Sequence, residues 1–401
     1  MDVKSLPDEF YEWIDAHIAD DPRKLLLSWR DRAPWVTFAV LQIECRRKAS
    51  SKLPDELQCR RFLFPAEISA QQSTSDTLAR FHSSLIGSGE RGADMTAGLG
   101  VDAFHFSALA SEVIAVEIDA FKADVLEHNA GVLNIDNLTV VASDCCEYAK
   151  ELPDNSFDVI FIDPARRADD GSRLFSISQC KPDVLSMIPE LKRICPRLIV
   201  KLSPMLDVVQ TIKELPDVSD IYVTGAVNEC KELIAVCDFR GLSCREPMIH
   251  VVSPDAKWPE FNFTLSDESE AEVKCGDIHV GDWLYEPSAP VMKAAPWGLL
   301  CCRFGLKKLH PNTNLYVSDH RIEGFPGASW YVEAVLPFAS GVLKRFSRQW
   351  PEINVSVRNF PMTADVLRRK LRVSDISDDS KKVIGVTVCD GKQQLLVLNK
   401  L

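Results

Sequence analysis

"RGADMTAGLGVDAFHFSALASEVIAVEID", residues 91–119, decides how the rest of the chain is read. It opens as a short strand, breaks at a glycine-bearing turn, continues as a helix and ends in a second strand that closes on acid. Gly98 and Gly100 let the chain turn tightly and let a ligand approach the backbone where a side chain would collide. A dinucleotide-binding turn would read G-x-G-x-x-G and aim a helix N-terminus at a pyrophosphate. Here the third glycine position is Ala103, and Asp94 and Asp102 flank the turn together with Thr96. Two carboxylates repel phosphate and suit a cationic ligand that carries none.

Working outward, apolar runs alternate with helical stretches from about residue 76. The spacing predicts strands at 91–97, 112–118, 138–142, 157–162, 197–202, 220–226 and 232–239, with helices over 102–110, 120–132, 145–151, 182–194 and 206–215. Near-continuous apolar strands between helices indicate a parallel sheet covered on both faces, an α/β doubly wound domain of seven strands. Four successive strands end in acid: Asp94, Glu117, Asp144 and Asp163. A single strand-end acid is commonly a cap or a solvated group. Four in succession line one carboxyl-edge crevice, where such sheets bind ligands. Glu117, 17 residues after Gly100, could accept both hydroxyls of a ribose, and Asp144 could accept from an adenine amino group. Asp119 reads as the N-cap of the helix that follows. The pattern favours a sulfonium nucleoside.

Residues 1–75 read as a helical region, with "EFYEWIDAHIAD", "PRKLLLSWRD" and "WVTFAVLQIECRRKAS" divided by Asp-Pro and Ala-Pro. The next segment, "EISAQQSTSDTLARFHSSLI", places Gln72 or Ser73 for a contact over the ligand, or Ser73 or Ser75 as a helix cap. The chain has 401 residues, 46% of them hydrophobic and 26% charged, enough for several domains with buried cores. Its net charge of -12 gives no global attraction to nucleic acid or to an anionic membrane, so such a partner needs a local basic patch. Thirteen scattered cysteines, with Cys145/Cys146 and Cys301/Cys302 adjacent, suit neither a disulfide framework nor a zinc site. Reduced thiols, no metal and a cytoplasmic location are expected. The acidic "MDVKSLPDEF" lacks the pattern of a signal peptide, and no apolar run approaches the roughly 20 residues of a membrane span.

With these motifs in place, the segment 76–242 resembles a class I S-adenosylmethionine-dependent methyltransferase, with a Rossmann-like sheet. "DMTAGLGVD" is similar to that family's first motif, "AVEID" to its acidic second, "ASD" to its third and "IDPARR" to its fourth. The resemblance implies Asp94 near the methionine ammonium, Gly98 and Gly100 under the cofactor, Glu117 on the ribose and Asp144 on the adenine. It further implies that Asp163 and Pro164 hold the methyl acceptor, as in nucleic-acid amino methyltransferases. There the motif continues with proline and an aromatic ring, whereas this chain has Ala165 and Arg166. Arg166 is a candidate contact to a phosphate or a guanine edge; a surface pair with Asp169 is the alternative. Ring-carbon methylation at C5 needs a cysteine nucleophile, and "VKLSPM" after the fifth strand offers Lys201 and Ser203 instead. Nitrogen methylation needs mainly alignment, with Asp163 positioning and Lys201 supporting it.

After Arg240 the texture turns β-rich. "PMIHVVS" and "EFNFTLS" read as paired strands. Near the end come a strand at 353–359, a helix over 363–371 started by Thr363, and two strands joined at Asp390-Gly391. Residues 341–373 carry Lys344, Arg345, Arg348, Arg358, Arg368, Arg369, Lys370 and Arg372 against only Glu352 and Asp365, a net +6 in an acidic chain. Such a division is the footprint of a polyanion-binding module, or else a solvated helix face. "RNFPMTADVLRRKLRV", with "DWLYEPSAPVMKAA" upstream, resembles bacterial methyltransferase-like proteins whose C-terminal part is THUMP-like, after an RNA-binding module. The resemblance implies small α+β domains, ferredoxin-like over 243–330 and THUMP-like over 331–401. It also implies tRNA or rRNA as partner, met by Arg358, Arg368, Arg369, Lys370 and Arg372. Three readings follow: an RNA base-nitrogen methyltransferase, a catalytically degenerate RNA-binding or assembly protein, and a methyltransferase for small molecules or proteins. A nicotinamide enzyme is disfavoured by the acids at the turn.

Overall fold

The computed structural model describes residues 2–30, 32–166, 176–241, 245–378 and 380–400, with Arg166 described in its backbone alone. By compactness the chain divides into two units, Met1–Ser219 with Ile234–Arg245, and Asp220–Leu233 with Glu246–Leu401.

The first unit starts with helices α1 (Asp8–His17), α2 (Pro22–Trp29) and α3 (Val36–Ala49). Asp21 caps α2 by accepting from Arg23 N at 2.9 Å, and Pro22 occupies the first turn, where its missing N–H costs nothing. Phe10, Trp13, Trp35, Val36 and Ile43 bury one aromatic-rich core that also takes in Val125 from farther along the chain. Two helices follow, α4 (Glu67–Gln72) and α5 (Asp76–Ser84), with Ser75 capping α5 through Leu78 N.

The sheet of this unit is assembled from β1 (Arg91–Asp94), β2 (Glu112–Glu117), β3 (Leu138–Ala142), β4 (Val159–Ile162) and β5 (Arg197–Leu202). Between them run α6 (Val101–Ser107), α7 (Ala120–Val132), α8 (Cys145–Glu151) and α9 (Val184–Ile194), and α10 (Val208–Glu214) follows β5. The order β5-β4-β1-β2-β3 is parallel throughout. Because every strand runs the same way, the residues closing β1 to β4 all emerge at one edge. Ile160, Phe161 and Ile162 on β4 and Ala115 and Val116 on β2 are nearly fully buried, as a sheet covered on both faces requires.

Two further strands, β6 (Val218–Ala226) and β7 (Glu229–Asp238), complete the seven that the sequence predicts. The second half of β7 lies in the first unit, next to β5 in strand order, and its first half lies in the second unit next to β6. The sheet then exceeds the expected seven strands. In the second unit β8 (Met248–Val252) pairs in parallel with β6, and β9 (Phe261–Phe263) pairs antiparallel with β8, making nine. The alternation of "MIHVV" buries Ile249 and Val251 while His250 stacks on Tyr222 of β6. The expected hairpin therefore forms, but also adds to an existing edge.

The second unit also holds α11 (Leu265–Glu270), α12 (Ala289–Ala294) and α13 (Trp297–Phe304). Its seven-stranded sheet contains β10 (Trp283–Pro287), β11 (Lys307–His310), β12 (Thr313–Ser318), β13 (Gly327–Pro337), β14 (Asn354–Arg358), β15 (Lys381–Thr387) and β16 (Gln393–Asn399). They lie in the order β11-β12-β10-β13-β16-β15-β14. Ile384, Val386, Leu396 and Leu398 face one apolar core. Val383, Leu395 and Val397, alternating with them, face another that includes Phe346 of α14 (Ser340–Gln349) and Leu367 and Leu371 of α15 (Ala364–Leu371). Thr363 caps α15 by accepting from Val366 N. Twelve cysteines among the described residues carry free thiols, and no described helix is long and apolar enough to cross a membrane.

Candidate functional site

The carboxyl edge of the first unit gathers the acids through short backbone links. Asp94 ends β1 and accepts from Thr96 N at 3.0 Å, which folds the chain back into the turn. Thr96 Oγ1 in turn accepts from Asp163 N at 2.7 Å, joining the ends of β1 and β4. Glu117 accepts from Gly98 N at 3.0 Å through one oxygen and from Asp119 N at 2.8 Å through the other, joining the turn to the end of β2. The two glycines differ. Gly98 has φ +56°, and a Cβ there would meet only Thr96 O at 3.9 Å, so its outer face is open for a ligand. Gly100 has φ +91°, and a Cβ would strike Phe104 at 2.7 Å and Leu126 at 2.9 Å, so protein packing already demands a glycine there.

Asp102 is placed differently from a residue lining the crevice. It lies buried in α6, accepting from Thr74 Oγ1 at 2.6 Å and contacting His82 Nδ1 at 2.7 Å. Lys201 Nζ donates to Thr74 Oγ1 at 3.1 Å and to Asp163 Oδ2 at 2.7 Å, so one polar chain runs His82–Asp102–Thr74–Lys201–Asp163. Burial alone would push the Asp102 carboxyl up; His82, Lys201 and Thr74 outweigh it and hold the group at about 2. Asp94, only 2% exposed, goes the other way. Burial first, then Asp102 and Asp163 nearby, raise it well above the usual carboxylate range, with Lys201 opposing. The crevice thus contains a buried carboxyl that an added positive charge would relieve.

Asp144 is exposed and caps α8, accepting from Cys146 N at 2.7 Å, and Asp119 caps α7 through Lys122 N. Asp163 is partly exposed and Pro164 buried. The Arg166 side chain, and Asp169, its alternative partner, lie outside the described residues. Thr74 and His82 went unnoticed in the sequence because nothing in their spacing marks them as partners of Asp102. Ile118 was also missed: it is 67% exposed directly after the buried Glu117, an apolar surface suited to a flat ring. The signal that could have found it is an apolar residue between a strand-ending acid and the helix cap Asp119. Ser73 Oγ donates to Ala70 O, and Ser75 takes the capping role.

In the second unit, Lys344, Arg345 and Arg348 are exposed on α14, and Arg369 and Lys370 on α15, with Arg372 exposed at its C-cap. Arg368 is drawn between Asp365 at 2.8 Å and Asp375 at 3.0 Å. Arg358, exposed on β14, reaches Glu286 at 3.4 Å.

A family model for a ferredoxin-like domain matches residues 283–326, and one for a THUMP domain-like family matches residues 327–400. Comparison with curated proteins gives no match. Among solved structures, a candidate methyltransferase from Porphyromonas gingivalis W83 is 29% identical, covers 98% of this chain and 97% of that one, and has a TM-score of 0.88. A candidate methyltransferase from Streptococcus mutans in complex with SAH is 16% identical over 40% of this chain and 94% of that one, with a TM-score of 0.30. A candidate RNA methyltransferase from Pyrococcus horikoshii is 18% identical over 47% and 89% of the two chains, also with a TM-score of 0.30. The parallel sheet with its acid-lined edge is the methyltransferase fold, preceded by helices. The chain joins that fold to a ferredoxin-like domain and then a THUMP-like domain.

Proposed function

We propose that the chain is an S-adenosylmethionine-dependent methyltransferase that acts on a base nitrogen in structured RNA. The observation that carries the reading is Asp94, a buried carboxyl at the carboxyl edge with other acids around it, which an ammonium or sulfonium would neutralise. The residues suit such a cofactor. Gly98 leaves its outer face open, Glu117 sits at the end of β2 for a ribose, and Ile118 offers an apolar surface for a base. Asp144, exposed after β3, would accept from an adenine amino group, and the P. gingivalis relative adds weight as a candidate methyltransferase. When bound, the cofactor supplies an electrophilic methyl group on a sulfonium.

Asp163 and Pro164 would hold the acceptor nitrogen, with Lys201 fixing the Asp163 carboxylate by its ion pair. The nitrogen lone pair would form the new bond to carbon as the sulfur–methyl bond breaks and its electron pair stays on the departing thioether, while Asp163 or water would take the proton that the nitrogen gives up. RNA is favoured by the THUMP-like match and by the exposed basic side chains of α14 and α15, with Arg358 on the neighbouring strand. Arg166, at the position where the acceptor motif carries an aromatic ring, supplies no ring to stack on a base, which favours a second reading, a non-catalytic RNA-binding protein of the same fold. Tritium transfer from labelled cofactor to total RNA separates them. Wild type should label one RNA pool, and Asp163→Ala should not, while both bind cofactor. Tight cofactor binding with no RNA labelled would transfer the conclusion to the second reading.

A further inference from the structure

Behind the glycine turn, three residues far apart in sequence converge in the first unit. Glu56 lies on a 3-10 turn (Glu56–Gln58), Asp76 begins α5 and His105 lies on α6. His105 Nε2 is 3.5 Å from Glu56 Oε1 and 3.8 Å from Asp76 Oδ1. One ligand atom from each of the three falls within 4.8 Å of the others. Glu56 and Asp76 are each only 5% exposed. Glu56 Oε2, Asp76 Oδ1 and His105 Nε2 are all buried without a hydrogen-bond partner. Three buried polar atoms left unsatisfied at one point are costly, about 1–3 kcal/mol each and more for charged groups. By contrast the other Asp76 oxygen accepts from Asp55 N at 3.2 Å, so only the inward-facing oxygen lacks a donor.

We propose that Glu56, Asp76 and His105 bind one divalent first-row transition cation such as Zn2+ or Mn2+. An imidazole nitrogen is a poor ligand for Mg2+ or Ca2+, and two carboxylates without a thiolate do not suit a soft cation. Two ionised carboxylates and a neutral imidazole balance the 2+ charge. With metal–ligand bonds of about 2.1 Å, tetrahedral ligand atoms lie about 3.4 Å apart, so the two distances to His105, 3.5 and 3.8 Å, need only a small contraction, and the two carboxylates, within 4.8 Å of each other, would close further on the cation. The cation would clasp the Glu56 turn, α5 and α6 together. It would reinforce the Asp102–His82 contact between the same two helices, without entering methyl transfer. The reading is independent of the proposed substrate.

The test uses the full chain, stripped with chelator and then dialysed against Zn2+ or Mn2+. Elemental analysis should find one cation per chain, and the melting temperature should rise with the added metal. Glu56→Gln and His105→Gln should each weaken binding at least tenfold and abolish the metal-dependent rise in melting temperature. Electron–nuclear double resonance on the Mn2+-loaded wild type should show nitrogen coupling from one imidazole, a readout that requires no variant to fold. Wild type that takes up neither cation, or Mn2+ bound without nitrogen coupling, overturns the proposal. So does a folded Glu56→Gln that binds as wild type does; in each case the three groups share a proton or a water instead.

Discussion

Charge is handled in opposite ways at the carboxyl edge of the first unit and on the helices of the THUMP-like region. At the edge, Asp94, Asp102 and Lys201 are largely withdrawn from water: burial and nearby acids raise Asp94, His82 holds Asp102 low against its burial, and Lys201 pairs with Asp163. On α14 and α15 the basic side chains remain hydrated, while Phe346, Leu367 and Leu371 secure the helices from below. Buried charge is therefore committed to particular partners and costly to disturb. Exposed charge is cheap to change and available to a diffusible partner. The comparison can be broken or sharpened by perturbing each side in turn.

The largest effect is expected from Asp102→Ala, which removes the carboxylate that both His82 and Thr74 contact in the interior. Loss of one partner from a buried pair costs about 3–5 kcal/mol, measurable by urea or thermal unfolding. A loss below about 1 kcal/mol would mean that the polar chain does not hold α5 to α6. The acid side gives a sign as well. Because the folded Asp102 sits at about 2, below its unfolded value near 3.9, its contribution is complete above about pH 4 and is lost as pH falls toward 2. Wild type should lose stability over that window more steeply than the Asp102→Asn variant.

Next in size is Glu117→Ala. Losing two charge-assisted hydrogen bonds to a ribose, about 3 kcal/mol in sum, should weaken S-adenosylmethionine binding roughly 100-fold in calorimetry. An unchanged affinity would remove Glu117 from the site. Asp94 adds a pH signature. Its carboxyl holds a proton to higher pH than usual in the free protein, while a cationic ligand requires the ionised form. Binding should release a proton, and affinity should rise with pH by up to about tenfold per unit below the raised value. Calorimetry in buffers of different ionisation enthalpy reads the released proton directly, and finding none would count against Asp94 as the ligand's counter-ion.

On the exposed side, Arg369→Ala with Lys370→Ala should change stability by no more than about 0.5 kcal/mol and leave cofactor affinity intact. It should reduce the salt dependence of RNA binding by about 1.5 in log–log slope, as expected for two lost phosphate contacts. An unaltered slope would show that these residues form only a solvated face. Confined to one helix end, Thr363→Ala should cost about 1 kcal/mol through the lost cap of α15, seen as a lower melting temperature.

The strands β1 to β7, the caps Ser75, Asp119 and Thr363, and the acids at the sheet's carboxyl edge were legible in the sequence. Each depends on residues a few positions apart: an apolar run closed by an acid, or a cap followed by its helix. The glycine turn was legible too, though not that Gly98 and Gly100 serve different ends, because that distinction depends on Phe104 and Leu126 closing over only one of them. The pairing of Met248–Val252 with β6 was hidden for a related reason. An alternating strand reveals that one face is buried but not which edge will receive it.

The sequence alone therefore determined the element types, their parallel order of appearance and the acids that close the strands, since local sterics and periodicity set these. Only the tertiary structure decided that Asp102 turns inward to His82 and Thr74 while Asp94 remains short of a counter-charge. It alone brought Glu56, Asp76 and His105 to one point. Such partnerships join residues tens of positions apart, and the energy of a buried charge is set by what packs around it, which no local pattern encodes.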